Sequence, residues 1–276
     1  MVLPKITVII ATYNKTDWLE KVLHGYSIQT YEDFEIIIAD DGSTEETKAL
    51  IDRFKKDCQV EITHCWHEDK GYRRQKILNE SIVMAKYDYI LFTDGDCIPR
   101  VDFVETHARH AEKGYFLSGG YCKLPMDISE AIDEDDIKSK RCFEVKWLKK
   151  QGTLSGKNIL KLSAKDAFAD FLNAVTPTGA TFNNCNSSAW KSDLIAINGY
   201  DERMQYGGPD RELGERLVNN GIRTKQIRYT GICLHLDHPR SYKTKESIDK
   251  NLKIRAYTKK QKVTRTPYGI EKLQNY

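Results

Sequence analysis

The runs Ile6-Thr7-Val8-Ile9-Ile10-Ala11 and Phe34-Glu35-Ile36-Ile37-Ile38-Ala39 are short, β-branched and apolar at almost every position. Strands that read this way are covered on both faces, which confines the chain to architectures in which helices flank a parallel sheet. Thr16 is placed to cap a helix between them, with Trp18, Leu19, Val22, Leu23 and Tyr26 on one side. Ser43 and Glu46 have capping-box spacing at the start of a second helix. A strand over 60–64, a helix carrying Leu78, Ile82 and Ala85, and the run Tyr89-Ile90-Leu91-Phe92 continue the alternation. The expectation is an α/β fold whose central sheet is mostly parallel, with helices on both faces.

The Tyr89 strand ends in Asp94-Gly95-Asp96. Ligands of open α/β sheets bind at the carboxyl ends of the strands, and a glycine there lets a bulky group approach the backbone. Two hard carboxylates at that place suit Mg²⁺ or Mn²⁺ bridging to a diphosphate. Asp and Gly are also ordinary turn residues after a strand, so the motif alone does not decide between a turn and a metal site.

Composition narrows the function classes. The 43 basic and 40 acidic residues leave a net charge of +3, too balanced for sequence-independent nucleic-acid binding. Seven scattered cysteines without close paired spacing suit reduced thiols in a cytosol, and Cys97, with no histidine near it in sequence, reads as a small buried residue rather than a nucleophile. Residues Met1 to Ile6 run directly into strand-like sequence, so no secretion signal is expected, and no apolar stretch approaches the ~20 residues that span a bilayer. A cytoplasmic protein, soluble or peripheral at the inner face of the membrane, is the expectation.

Beyond residue 100 the pattern loosens. The charges of Asp133-Glu134-Asp135-Asp136 and of Lys138, Lys140 and Arg141 read as a solvated surface, 153–165 shows no clear period, and 131–170 reads as an insertion that covers or shapes an acceptor site. Order returns at Ala189-Trp190 and at Asn198-Gly199-Tyr200-Asp201-Glu202. Tyr206-Gly207-Gly208-Pro209-Asp210 then leads into a helix with Pro209 at its first position and Asp210 in its first turn. The lysine-rich tail reads as a solvated helix, with contact to anionic head groups as the other reading. The organisation expected is a nucleotide-sugar half over 1–100, an acceptor and catalytic half over 101–243, and a helical tail over 244–276.

Thr7-Val8-Ile9-Ile10-Ala11-Thr12-Tyr13-Asn14, Asp40-Asp41-Gly42-Ser43 and Asp94-Gly95-Asp96 together resemble the family 2 glycosyltransferases of GT-A fold. The segment from Asn198 to Asp210 is similar to the carboxyl-terminal module of β-1,4-galactosyltransferases and chondroitin-polymerase-type enzymes. The resemblance implies a GT-A sheet with a carboxyl-terminal acceptor-side portion. It implies that Tyr13 packs on uracil beside Ala11, that Asp41 accepts from the uracil N3, and that Asp40 holds the loop. Arg73, then Lys76, matches the cation near the nucleotide; charges on an amphipathic helix surface explain both equally well. Asp96 would ligate the metal, Asp94 the ribose or metal-bound water beside Gly95, and His235, with His238 as its rival, would complete the shell. Asp210 would be the general base, and Gly207, Gly208, Trp190 and Asn186 would stand on the acceptor or sugar side. The chain departs from the usual Gly-Gly-Glu-Asp motif by carrying Pro209 in place of the glutamate; Glu212, one turn on, is either a partial substitute or simply exposed.

The function implied is metal-dependent, inverting transfer of a hexose, galactose or N-acetylhexosamine favoured, from a UDP-sugar to a glycan or lipid-linked saccharide in cell-surface polysaccharide synthesis, without nucleic acid as partner. A sugar nucleotidyltransferase and a non-catalytic nucleotide-sugar-binding protein are the alternatives.

Overall fold

A computed structural model describes residues 2–239 and 243–271, so the last part of the expected tail, 272–276, lies outside the described residues. Its strands are β1 (Ile6–Thr12), β2 (Phe34–Asp40), β3 (Ile62–Trp66), β4 (Tyr89–Asp94), β5 (Cys97–Pro99), β6 (Tyr115–Lys123), β7 (Ser187–Trp190) and β8 (Arg223–His235). They form one sheet in the order β3-β2-β1-β4-β7-β6-β8-β5. The first four pair in parallel, as the βα alternation predicts; β7 joins β4 and β6 antiparallel, β6 and β8 are parallel, and β5 runs antiparallel along β8.

Every residue of β1 and β2 is buried. Side chains alternate across a strand, so Ile6, Val8 and Ile10 join one apolar layer, and Ile9 and Ala11 the other. One polar pair survives in this wall because it is satisfied: Thr7 Oγ1 donates to Glu35 Oε1 at 2.6 Å, and the same oxygen accepts the Lys86 N–H at 2.7 Å.

Three local expectations are corrected. Thr16 lies inside the helix Thr16–Ser27, Lys15 occupies the cap position, and no side chain caps the helix. The second helix begins at Glu45, not Ser43. Tertiary partners take Ser43 instead: its N–H donates to Asp40 Oδ1 at 2.8 Å, and its hydroxyl accepts from Asn14 N–H at 2.9 Å. The acidic run at 133–136 starts a helix: Asp133, Glu134 and Asp135 lie at the surface as expected, and only Asp136 departs from that reading by being buried. Asp133 and Asp136 form a reciprocal capping box, and the buried Asp136 also holds Arg141.

The stretch 131–170 is also more regular than its sequence suggests, with helices Glu134–Lys138, Val145–Gln151, Gly156–Ser163 and Asp166–Val175. Each is short, at five to ten residues, which is why no period stands out.

Beneath β7, a buried polar knot centres on His107. Its Nε2 lies 2.9 Å from Asn186 Oδ1 and its Nδ1 2.7 Å from Ser188 Oγ. An amide oxygen can only accept, so Nε2 carries the proton and Nδ1 accepts the serine hydroxyl. Burial pushes the imidazole down to about 3 from an ordinary 6.5. The unfolded chain therefore binds this proton where the folded chain does not, and stability should fall as pH drops below about 6.5, by about 1.4 kcal/mol per unit, until pH nears 3. Urea unfolding at pH 7.5 and 5 should show the loss in the wild type and a shallower one in His107→Gln.

Candidate active site

The carboxyl ends of β1, β2 and β4 open into a cleft of about 1360 Å³ whose far wall is supplied by β6, β8 and the helices of 156–163 and 209–219. At the end of β2, Asp40 is fully buried, accepting from the Ser43 N–H and sitting 2.8 Å from His64 Nε2. Its neighbour Asp41 reaches the cleft, where Oδ2 accepts the Arg73 N–H at 3.0 Å and Oδ1 lies 2.8 Å from His67 Nε2. The hydrogen bond His67 makes to Asp41, and then the Glu80 carboxylate 3.7 Å from its Nδ1, raise the imidazole above its ordinary value. Tyr13 is 49% exposed at the same wall and donates its hydroxyl to Asp69 Oδ2 at 2.9 Å.

Between β4 and β5, the Gly95 N–H donates to the Ala11 carbonyl at 2.8 Å. A Cβ at Gly95 would stand 3.0 Å from Thr12 Oγ1 and 3.2 Å from that carbonyl, so only glycine fits without displacement. Asp94 pairs with Arg74. Burial, only partly offset by Arg74 and reinforced by Asp96, raises the Asp94 carboxyl above the ordinary carboxylate value. Burial opposes ionisation of Asp96 too, but the His238 hydrogen bond and the charges of both histidines outweigh it, and its carboxyl sits below that value. The two acids are thus pushed apart.

Register brings the histidines to Asp96. β5 pairs Cys97 with His235, and the Leu236 N–H donates to the Asp96 carbonyl at 2.9 Å. His238 Nε2 then lies 3.0 Å from Asp96 Oδ2, and His235 Nε2 lies 4.0 Å from Oδ1. The two rings stack at 5.8 Å. His235 Nδ1 faces the Leu236 carbonyl at 2.8 Å and His238 Nδ1 the Pro239 carbonyl at 2.9 Å. Carbonyls and carboxylates only accept, so both Nδ1 atoms carry protons and His238 Nε2 donates to Asp96 Oδ2; a cation taking the place of that proton would meet both Nε2 atoms as ligands. Three donor groups within 4.8 Å of one another, each held from behind, suit a divalent cation.

Asp210 stands in the first turn of the helix Pro209–Asn219, lines the cleft, and accepts the Arg211 N–H at 2.9 Å. Its charge acts on both Arg74 and Asp94. Gly207 and Gly208, at φ +118° and +89°, turn the chain into this helix in a conformation that side chains disfavour. Ser155, Asn158, Lys157 and Lys161 of the expected insertion also line the cleft.

The structure gathers Ala11, Tyr13, Asp41, Asp94, Gly95, Asp96, Gly207, Gly208, Asp210, His235 and His238 around one cleft. It leaves others outside. The Arg73 guanidinium bonds the Glu68 carbonyl and Lys76 lies 3.8 Å from Glu80, while Arg74 takes the place of the cation in the cleft. Arg74 is four residues before Leu78 and eight before Ile82, both buried, and that helical spacing was the available signal. Trp190 faces away: its ring packs on Tyr89 at 4.9 Å under the Lys113 ammonium, and its Nε1 donates to the Glu112 carbonyl. Asn186 is fully buried in the His107 knot, its amide donating to the Gly120 and Gly231 carbonyls at 2.7 and 2.9 Å. Glu212 is neither exposed nor a substitute for the glutamate replaced by Pro209, because both its oxygens are taken by the buried Arg216.

Comparison with known proteins agrees with this geometry. Residues 7–129 match the model of glycosyl transferase family 2, and residues 169–239 match the one described as N-terminal domain of galactosyltransferase. The chain is 26% identical to a validoxylamine A glucosyltransferase of Streptomyces hygroscopicus subsp. jinggangensis, over 79% of this chain and 52% of the relative. It is 24% identical to a chondroitin synthase of Escherichia coli, over 95% of this chain and 40% of that one. The chain thus spans about half the length of such relatives. Among solved structures, S. aureus TarS with UDP-GlcNAc shares the fold at TM-score 0.61 and 14% identity, covering 94% of this chain and 69% of that one. A mannosyltransferase of Pyrobaculum calidifontis with GDP-Man and Mn²⁺ shares it at 0.57 and 18%, covering 88% and 59%. On a GT-A sheet that gathers the motifs around one cleft, the chain thus carries a segment of glycosyl transferase family 2 over 7–129, followed by a galactosyltransferase-type segment over 169–239.

Proposed function

We propose that this chain moves a hexosyl unit, galactose or N-acetylhexosamine favoured, from a UDP-sugar to a saccharide hydroxyl of a glycan or lipid-linked acceptor, with inversion at the anomeric carbon. The observation that carries the reading is the convergence of Asp96, His235 and His238 in the cleft that also holds Asp41 and Asp210. Tyr13 and Asp41 offer an aromatic face and a carboxylate acceptor at one end, the pair a uracil ring and its N3–H would use. Asp96, His235 and His238 would hold Mn²⁺ or Mg²⁺, which when bound supplies positive charge to the diphosphate of the leaving UDP. Asp94 keeps the Arg74 cation turned toward the same end.

Asp210 acts on the acceptor. Its carboxylate takes the proton from the attacking hydroxyl as that oxygen bonds to the anomeric carbon and the bond to UDP breaks. The left-handed Gly207-Gly208 turn sets the chain into the helix that carries Asp210.

Thermal unfolding with a panel of UDP-sugars, with and without Mn²⁺, tests the reading. At a ligand concentration about 100 times Kd, one UDP-sugar with Mn²⁺ should stabilise the fold by about 2.7 kcal/mol, and Asp96→Ala should lose that gain. Equal stabilisation of both proteins would remove the metal from the account. Release of pyrophosphate from UTP and a sugar phosphate would instead favour a nucleotidyltransferase.

A further inference from the structure

The helix Asp166–Val175 turns its apolar face to solvent. Phe168 is 53% exposed, Phe171 58% and Val175 53%, and Ala167 and Ala174 are exposed beside them. At 100° per residue these five fall within one arc of about 120° centred on Phe171. The opposite side, with the buried Ala169, packs on β8, where Asn173 bonds the Tyr229 N–H and the Thr230 hydroxyl. The ridge is therefore no misplaced core: the helix is already anchored, and its aromatic side is left over. Two half-exposed phenylalanines on one stripe exceed the scattered apolar residues of an ordinary surface.

The charge around the ridge identifies what covers it. Between Glu144 and Val175 the chain carries six lysines against three carboxylates. Lys146, Lys149, Lys150, Lys157 and Lys165 are exposed, and none has a carboxylate partner among the described residues. The helix Gly156–Ser163 adds Leu160, 40% exposed, between Lys157 and Lys161. An aromatic ridge in a chain segment with this lysine excess, Lys165 directly before its helix and Asp166 and Asp170 away from the centre of its apolar arc, matches an interface with acyl chains below and anionic phosphates above.

We propose that this helix, with the one before it, docks the protein on an anionic lipid surface. Phe168, Phe171 and Val175 enter the head-group boundary, and the neighbouring lysines meet phosphate. Lys157 and Asn158 of the first helix and Thr178 and Gly179 after the second line the cleft, so docking brings the cleft mouth to the lipid plane. This locates membrane contact on the 156–175 helices rather than on the lysine-rich tail.

Co-sedimentation with vesicles of phosphatidylcholine, alone and with phosphatidylglycerol, tests the surface on the full chain. Binding should require the anionic lipid and weaken with salt. Phe168→Ser/Phe171→Ser should lower the partition coefficient at least about tenfold, since each loses an aromatic side chain that lipid would bury, with thermal stability retained because neither ring is in the core. Lys165→Gln, outside the cleft lining, should weaken binding to the anionic vesicles. Absence of binding, or equal binding by the phenylalanine variant, overturns the proposal. So does a concentration-dependent dimer in sedimentation velocity that the phenylalanine substitutions abolish, because the ridge then pairs with a second copy. UDP binding is independent of each outcome, so failure here leaves the proposed transfer reaction intact.

Discussion

Asp210→Asn should lower kcat for sugar transfer by about 10²- to 10⁴-fold, the range expected when a positioned general base is lost. The amide keeps the shape and the hydrogen bond from the Arg211 N–H, but it cannot hold the proton of the acceptor hydroxyl. UDP affinity should stay near the wild-type value, because the proposed nucleotide end consists of Tyr13, Asp41 and the Asp96 cluster rather than Asp210. A fall in kcat with an unchanged KM for the UDP-sugar is the expected pattern, since the lost interaction exists only in the transition state. If the variant transferred sugar as fast as the wild type, Asp210 would be no more than a carboxylate at a helix start. Single-turnover rates with saturating donor and Mn²⁺ would separate the chemical step from product release.

The largest expected effect on stability lies behind the same helix. Arg216 is fully buried, and its Nε donates to both oxygens of Glu212 at 2.9 and 3.0 Å. Its two other nitrogens donate to the Ile197 and Gly199 carbonyls at 2.6 and 2.7 Å. Glu212 also accepts from Thr258 Oγ1 at 2.9 Å, so one ion pair ties the Asp210 helix to the 197–199 turn and to the helix Lys245–Lys260. Removing one partner strands a buried charge, so Arg216→Ala should cost about 3–5 kcal/mol. Chemical denaturation should show a lower midpoint with an unchanged slope. Arg216→Met with Glu212→Leu should recover part of the loss, because no unpaired charge then remains. A loss below about 1 kcal/mol in the single variant would mean that water reaches the site and the network is not rigid.

The pair also shows where sequence reading stops. Arg216 and Glu212 are four apart on a helix, the spacing of an ordinary exposed ion pair, and nothing local distinguishes a buried one. Asn186 and Trp190 fail for the same reason: one serves a buried histidine, the other roofs Tyr89, and both partners come from distant segments. Thr16 and Ser43 had the right residue types for caps, yet the chain supplied Ser43 with Asp40 and Asn14 as stronger partners. The β-branched runs, by contrast, could be read directly, since burial on both faces leaves its mark on each residue in turn.

By itself, then, the sequence determined the strand-and-helix alternation of the first hundred residues, the acidic ending of β4 and the glycine turn before Asp210. These follow from sterics and burial acting over a few neighbouring residues. Only the tertiary structure decided that both His235 and His238 reach Asp96 and that two phenylalanines of 166–175 stay outside the core. The physical reason is the register between β5 and β8 and the packing of short helices on that strand. These contacts join segments far apart in the chain, and a side chain's neighbours there depend on backbone placement that no local pattern encodes.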